Sequence, residues 1–416
     1  MGTSRTREGT PLMARFFLSW EFGGSLGHAG RLKPLTQELM RRGHHVDLML
    51  RELVHTHDLL KDLKVRILQA PVWMHRVVGL PDSQATLAEI LLANGYFGVD
   101  ALNALVCGWK SALELTRPDV MVADYAPTAY LAARILGIPT ATVGIGFYLP
   151  PDTAPMPLFR DWEPIPKGRV EHSESEVLRN VNAVLHRHGA APVERLAHIL
   201  RGERPLLCTW PELDHYQRGD LPAGEQYHGP TFLPSGGQAP TWPAGDGPRV
   251  FAYLRSGHPD HEAVLRALDQ LGCRTLCYLP EVAGGKPPPV LSQSIHYASG
   301  PVHLGQTFPD CQLVICHAGE ATLAQSLLAG VPLLLLPTQA EQFVMAKRVE
   351  ETGAGVNAAQ RPRPTDFKAL IQQLLTQPNY AQAARRVAER HQDFTHEGQT
   401  VALVDEFESL LRPEQV

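Results

Sequence analysis

One pattern constrains this chain above all others, and it occurs in both halves. A short uninterrupted apolar run empties into a small-residue loop, then a helix, then another apolar run. Residues 15–20, RFFLSW, are the first such run. The loop EFGGSLGH follows. AGRLKPLTQELMRRG then sets Leu32, Leu35, Leu39 and Met40 at helical spacing, with Gly43 as a stop signal. HHVDLML is the next run. Runs without alternation suit strands buried on both faces, and strand–helix–strand order calls for a parallel sheet covered by helices. The pattern continues through DVMVADY, PTAYLAARILG and IPTATVGIG, and residues 175–200 read as helical. It restarts with RVFAYL, HEAVLRALDQLG, RTLCYL, QLVIC, TLAQSLLAG, PLLLLP and EQFVMAKRVEETG, and ends on a helical run, TVALVDEFESLL.

Between the two series lies LPSGGQAPTWPAGDGP, dense in Gly and Pro and without periodicity. The reading is an α/β chain of two Rossmann-like domains facing a cleft. The N-terminal domain covers 13–232, a linker 233–248 and the C-terminal domain 249–395, and a helix over 396–416 returns to the N-terminal domain. A length of 416 residues accommodates this. In open parallel sheets, ligands sit beyond the carboxyl ends of the strands. Loops 21–28 and 317–322 both occupy that place.

Composition removes several function classes. A net charge of −5 gives no reason to expect nucleic-acid binding or a strongly basic membrane patch. Cys107, Cys208, Cys273, Cys277, Cys311 and Cys316 form no CxxC pair and read as reduced thiols of a cytoplasmic protein. The polar residues 1–12 and the short apolar run after them do not make a signal peptide. The longest apolar stretch, SLLAGVPLLLLP, is broken by Gly330 and Pro332 and is too short to span a bilayer.

Chemistry concentrates in two loops. ICHAGEATLAQSLLAGVP, from Ile315 to Pro332, takes a buried strand through His317 and Gly319 into a helix. A helix N-terminus presents unpaired backbone N–H groups and the positive end of a dipole, and small residues let a phosphate approach closely. Thr322 can cap the helix or offer a hydroxyl, and His317 can donate to an oxygen. Alone, the hexamer fits a diphosphate cradle and a structural turn with a core histidine equally well.

The longer run CHAGEATLAQSLLAGVPLLLLPTQAEQFVMAKRVEETGAGV decides between them. It resembles the donor-binding region of GT-B-fold glycosyltransferases of the UDP-glycosyltransferase type, in particular bacterial rhamnosyl- and macrolide-type transferases. The matching residues are His317, Gly319, Thr322, Gly330 to Pro332, Pro337, Glu341, Gln342, Ala346 to Val349 and Gly353 to Gly355. The resemblance implies that His317 touches the donor diphosphate and that Gly319 and Thr322 supply phosphate contacts. It implies that Glu341 and Gln342 bind hydroxyls of the transferred sugar. Gln325 stands where many relatives carry a ribose-binding Glu. Backbone at Val302 and His303, in SGPVHL, would meet the nucleobase, and Ser256 and Gly257, in LRSGH, would lie near the phosphates. Two residues depart from the pattern. Ala321 replaces a Gly or Asn, and Glu320 puts a carboxylate in a phosphate loop. That side chain is expected to turn toward the sugar or solvent, or to serve as a dipole-stabilised carboxylate at the helix start.

Transfer to a hydroxyl needs a base, and a histidine suits the task. The family draws its base from a Gly-His at the position of His28, in GGSLGHAG, and a partner Asp from a later strand end. Asp124 ends the strand in DVMVADYAP, 96 residues after His28. Asp119 competes, but starts that strand and lies at the far edge of the sheet. Such a carboxylate fixes the tautomer of its histidine and stabilises the imidazolium. Phe147, Tyr148, Phe159 and Trp162 either line the acceptor pocket or pack their own loop. His258, His261 and Glu262 lack a further ligand set, so no metal site is expected there.

The resulting expectation is an inverting, metal-independent and cofactor-free glycosyltransferase. It moves a sugar from a UDP- or dTDP-linked donor to a small acceptor such as a natural product or glycolipid precursor. Alternatives are a GT-B nucleotide-sugar 2-epimerase and a non-catalytic partner of another transferase. The sequence sets no oligomeric state.

Overall fold

Residues with apolar runs become strands buried on both faces. The structure, a computed structural model, describes residues 13–24, 26–81, 83–232, 236–255 and 257–411. The first sheet contains β1 (Arg15–Trp20), β2 (His45–Leu50), β3 (Arg66–Gln69), β4 (Val120–Asp124), β5 (Thr140–Gly144) and β6 (Arg204–Leu207), in the order β3-β2-β1-β4-β5-β6. The second contains β7 (Arg249–Tyr253), β8 (Arg274–Tyr278), β9 (Ile295–Tyr297), β10 (Leu313–Cys316), β11 (Leu333–Leu335) and β12 (Gly355–Asn357), in the order β12-β11-β10-β7-β8-β9. Every pairing is parallel.

Each sheet reverses its strand order once, between β1 and β4 and between β7 and β10. The crevice at such a reversal is the natural ligand site of an open parallel sheet. The register places Trp20 opposite Asp124 in the first sheet and Ala252 opposite Ile315 in the second. Both motif loops therefore leave from the two strands that flank a crevice.

The two-residue period of a strand sorts the second core. Val250, Ala252, Ile315 and Leu334 pack on one face, while Phe251, Val314, Leu333 and Leu335 pack on the other. The first core gathers Phe16, Leu18, Val122, Val143 and the helix residues Leu32, Leu35 and Leu39. Leu403, Val404 and Phe407 of the last helix, His396–Glu408, complete it. Among the described residues no single helix is long and apolar enough to cross a membrane.

The chain divides into two compact units. Residues 13–209, 218–229 and 397–411 make the first, and 210–217 with 230–396 make the second. This departs from the boundaries expected above, where 210–232 belong to the N-terminal domain and 233–248 form a linker. Within that stretch Gln238 forms a parallel bridge with Val302, and the amide of His303 donates to its carbonyl at 2.9 Å. A Cβ on Gly237 would stand 2.6 Å from the Pro301 carbonyl oxygen, so only glycine lets the two backbones approach this closely. Residues 175–200 also differ from the uniform helix expected of them. The helix Lys167–Arg187 stops before Gly189 and Pro192, and a short helix resumes at His198–Arg201.

Candidate active site

In the first unit, His28 is the second residue of the helix Gly27–Arg41, and Asp124 is the last residue of β4. Their strand and helix ends meet at the sheet's crevice. His28 Nδ1 lies 3.0 Å from Asp124 Oδ1. A carboxylate can only accept, so Nδ1 carries a proton, and in the neutral ring the lone pair is on Nε2. The imidazole stacks on Trp20 with centroids 5.0 Å apart and an interplanar angle of 16°, and the tilted Tyr148 ring lies 5.7 Å away. The ring is held by stacking on one face and by a hydrogen bond at one edge. The backbone of Gly23 passes the remaining nitrogen, where an added Cβ would stand 2.5 Å from Nε2. Asp119 is elsewhere, accepting from the amide of Arg15 at the opposite end of the sheet.

Asp124 is shared more widely than the sequence implies. Arg31 Nη1 reaches both of its oxygens, at 3.1 and 3.0 Å, and also meets the Tyr148 hydroxyl at 2.6 Å. The Tyr148 hydroxyl donates to Asp124 Oδ1 at 2.9 Å. Burial pushes the Asp124 carboxyl up, but Arg31, His28 and Tyr148 outweigh it and hold the group below its ordinary value. Arg31 went unnoticed because a cation three residues along a helix reads as a surface charge, whereas it is 5% exposed. Glu21, after β1, is buried too. It accepts from the amide of Thr128 at 2.9 Å, and burial pushes its carboxyl up to about 8.

The aromatic residues after β5 pack closely. Phe147, Tyr148 and Phe159 are buried, with Phe147 and Phe159 paired at 4.9 Å. Tyr148 also stacks on Tyr125 at 4.4 Å, in space that a Cβ on Gly144 would fill. Of these rings Tyr148 stands beside His28, at 5.7 Å between centroids; Trp162 is 36% exposed. On the same sheet edge, the loop after β3 exposes Met74 and Val78.

In the second unit, His317 follows β10 and Gly319 opens the helix Glu320–Leu328 as its N-cap. Ala318 between them takes a φ of +60°, which turns the chain sharply out of the strand. Gly319 has nothing within 4 Å of an added Cβ and a φ of −67°. Its small size is therefore not demanded by packing. Glu320 and Thr322 are buried in the first turn, so Glu320 does not turn to solvent. Gln325 bonds back to the Ala321 carbonyl at 3.0 Å.

His317 is more engaged than expected. Nδ1 donates to the Leu336 carbonyl at 2.6 Å. Nε2 must then be an acceptor, and it receives the Arg255 amide at 3.0 Å and faces His261 Nε2 at 3.2 Å. Burial lowers the pKa of His317, and burial beside His317 brings His261 to about 4, so both imidazoles are neutral. The ring thus pins the loop after β7 to the ends of β10 and β11. It does not offer an N–H to a diphosphate.

A cavity of about 580 Å³ opens beside it, lined by Arg255, Gly257, His258, His317, Gln342 and Arg363 among others. Gln342 accepts from the amide and hydroxyl of Thr338 through its oxygen, which leaves its NH₂ group facing outward as the donor. Glu341 is half-buried and is not part of the lining. Val302 is buried, and the His303 amide is taken by Gln238, so that donor is not offered to a base. Ser256 lies outside the described residues.

Comparison with known proteins agrees with this geometry. Residues 295–396 match the family described as "Erythromycin biosynthesis protein CIII-like, C-terminal domain". A PGL/p-HBAD biosynthesis rhamnosyltransferase of Mycobacterium bovis is 28% identical over 71% of this chain and 68% of that protein. The glycotransferase of kitacinnamycin superposes with a TM-score of 0.69 at 17% identity, covering 97% of this chain and 100% of that one. The spinosyn rhamnosyltransferase SpnG, also known complexed with thymidine diphosphate and with spinosyn aglycone, gives 0.65 at 20% identity over 94% and 100%. Strand order, the switch-point loops and these similarities agree: the chain has the two-domain GT-B fold and is a glycosyltransferase similar to the bacterial macrolide and rhamnosyl transferases.

Proposed function

We propose that this protein transfers a sugar from a UDP- or dTDP-linked donor to a hydroxyl of a natural-product or glycolipid acceptor, with inversion and without metal or cofactor. The observation that carries the proposal is the His28–Asp124 pair, with Nδ1 protonated and Nε2 left basic. The acceptor hydroxyl gives its proton to Nε2 as its oxygen bonds to the anomeric carbon. The bond from that carbon to the diphosphate breaks on the opposite face, and the diphosphate leaves with its electron pair. Asp124 stabilises the imidazolium formed in this step. The donor is held on the second unit, around the start of the helix Glu320–Leu328 and the adjoining cavity.

Support for the substrate classes comes from the relatives. One is named for mycobacterial PGL/p-HBAD biosynthesis, and another binds thymidine diphosphate and a spinosyn aglycone. The exposed Met74 and Val78 suit an apolar acceptor. The test is incubation with UDP- and dTDP-linked hexoses and deoxyhexoses and a panel of hydroxylated aglycones, read by mass. A product heavier by one sugar residue is expected, with its anomeric configuration opposite to the donor's. Isomerised donor without transfer would identify an epimerase instead.

Gly319 separates binding from stability. Gly319→Ala has room for its methyl group and an ordinary φ. Its melting temperature should match the parent, within roughly 0.5 kcal/mol of stability. Nucleoside diphosphate affinity measured by calorimetry should fall, because the methyl group stands where a phosphate would approach the backbone. Unchanged affinity would move the phosphates away from this loop.

A further inference from the structure

We propose that the charge of the donor diphosphate is met in this chain by Arg255 and Arg363, with His258 as a further donor in the same lining, and not by His317. The inference rests on the donor reading above and assigns the groups that carry it out. Three observations lead to it. His317 has both ring nitrogens engaged, with Nδ1 on the Leu336 carbonyl and Nε2 facing the Arg255 amide and His261. Glu320, a carboxylate, is buried in the first turn of the helix Glu320–Leu328, where it offsets the positive end of the dipole. The adjoining cavity of about 580 Å³ has two guanidinium groups in its wall, Arg255 and Arg363.

The lining is built for an anion with several oxygens. Arg255 leaves the end of β7, its backbone fixed by His317 while its side chain stays exposed. Arg363 reaches the same cavity from the segment before the helix Phe367–Thr376 and bonds to Asp260 through Nη1. Asp260 orders His258 as well: its amide donates to His258 Nδ1 at 3.1 Å, which puts the ring proton on Nε2. Asp260 neutralises part of this charge, and one guanidinium in excess remains. Arginine keeps its charge at any physiological pH and matches phosphate oxygens with a planar fork of donors. The cluster of neutral imidazoles supplies no fixed charge. As the glycosidic bond breaks, negative charge grows on the leaving diphosphate, and cations already in place stabilise that change.

The test is calorimetric titration of the full chain with UDP, dTDP and inorganic pyrophosphate. The variants are Arg255→Gln, Arg363→Gln and the double substitution. Arg255 is exposed and the Arg363 side chain is 52% exposed, so the fold should survive, as a melting curve checks. Each single variant should bind the nucleoside diphosphates about tenfold more weakly, and the double variant should lose competition by pyrophosphate. If the parent binds UDP or dTDP and both single variants bind within twofold of it, the assignment of the two arginines is wrong and the donor reading stands. If the parent binds neither nucleotide, the donor reading itself fails.

Discussion

Replacing His28 with alanine is expected to lower kcat for transfer by a factor of about 100 to 10,000, the usual contribution of a positioned general base. The loss has a specific cause. His28 Nε2 belongs to a ring whose other nitrogen is bonded to Asp124, whose face rests on Trp20 and which has Tyr148 nearby. Without it, the acceptor hydroxyl must lose its proton to water. Nucleotide affinity should stay unchanged, since the donor site proposed above lies on the second unit. The measurement is kcat, KM and UDP or dTDP dissociation constants for parent and variant. Transfer at near the original rate would place the base at another residue.

Asp124→Ala should be the most damaging substitution for stability at this site. Asp124 is fully buried, and Arg31, with 5% exposure, has Nη1 on both carboxylate oxygens. Removing the carboxylate takes from the buried guanidinium the anion that it meets through both oxygens, at a cost of about 3–5 kcal/mol. Domains are stable by only about 5–15 kcal/mol in all. The melting temperature should fall sharply, and activity with it. Asp124→Asn separates the two effects. It preserves the shape, so stability drops less. Its NH₂ group can donate to Nδ1, which moves the imidazole proton to Nε2 and removes the base. Because the Asp124 carboxyl is held below its ordinary value in the folded state, its contribution is complete at neutral pH. It is lost as pH falls through the folded value, on the acid side of the usual carboxylate range. Denaturation of parent and Ala variant at pH 7 would show the loss; equal stability would mean that Arg31 finds compensation elsewhere.

The sequence made the long central strands legible because they are buried on both faces. RFFLSW, VMVAD and LVIC have no polar alternation to confuse them. The edge strands were not legible. β9 and β12 have three residues each, and β3 is only partly buried, so none offers a period to read. The position of His28 opposite Asp124 could be read, since a glycine loop and a strand end constrain where both residues fall. The orientation of side chains around them could not. Whether Tyr148 faces an acceptor or Asp124 depends on Gly144 leaving room for its ring, a contact across tertiary structure. The same holds for His317. Its place after β10 follows from the motif, but the engagement of both nitrogens depends on Leu336, Arg255 and His261, which come from separate segments.

The path of the chain through its two units bears on protein engineering. The chain passes from one unit to the other at 209/210, 217/218, 229/230 and 396/397. Acceptor range in such enzymes invites chimeras, in which an N-terminal half from one relative is joined to a C-terminal half from another. A single junction near residue 230 would graft a foreign sheet onto the native terminal helix, whose Leu403, Val404 and Phe407 fill the first core with no exposure at all. The hybrid would inherit a mismatched plug in the unit it was meant to exchange. A working graft has to carry residues 397–411 along with the first unit and leave 210–217 behind.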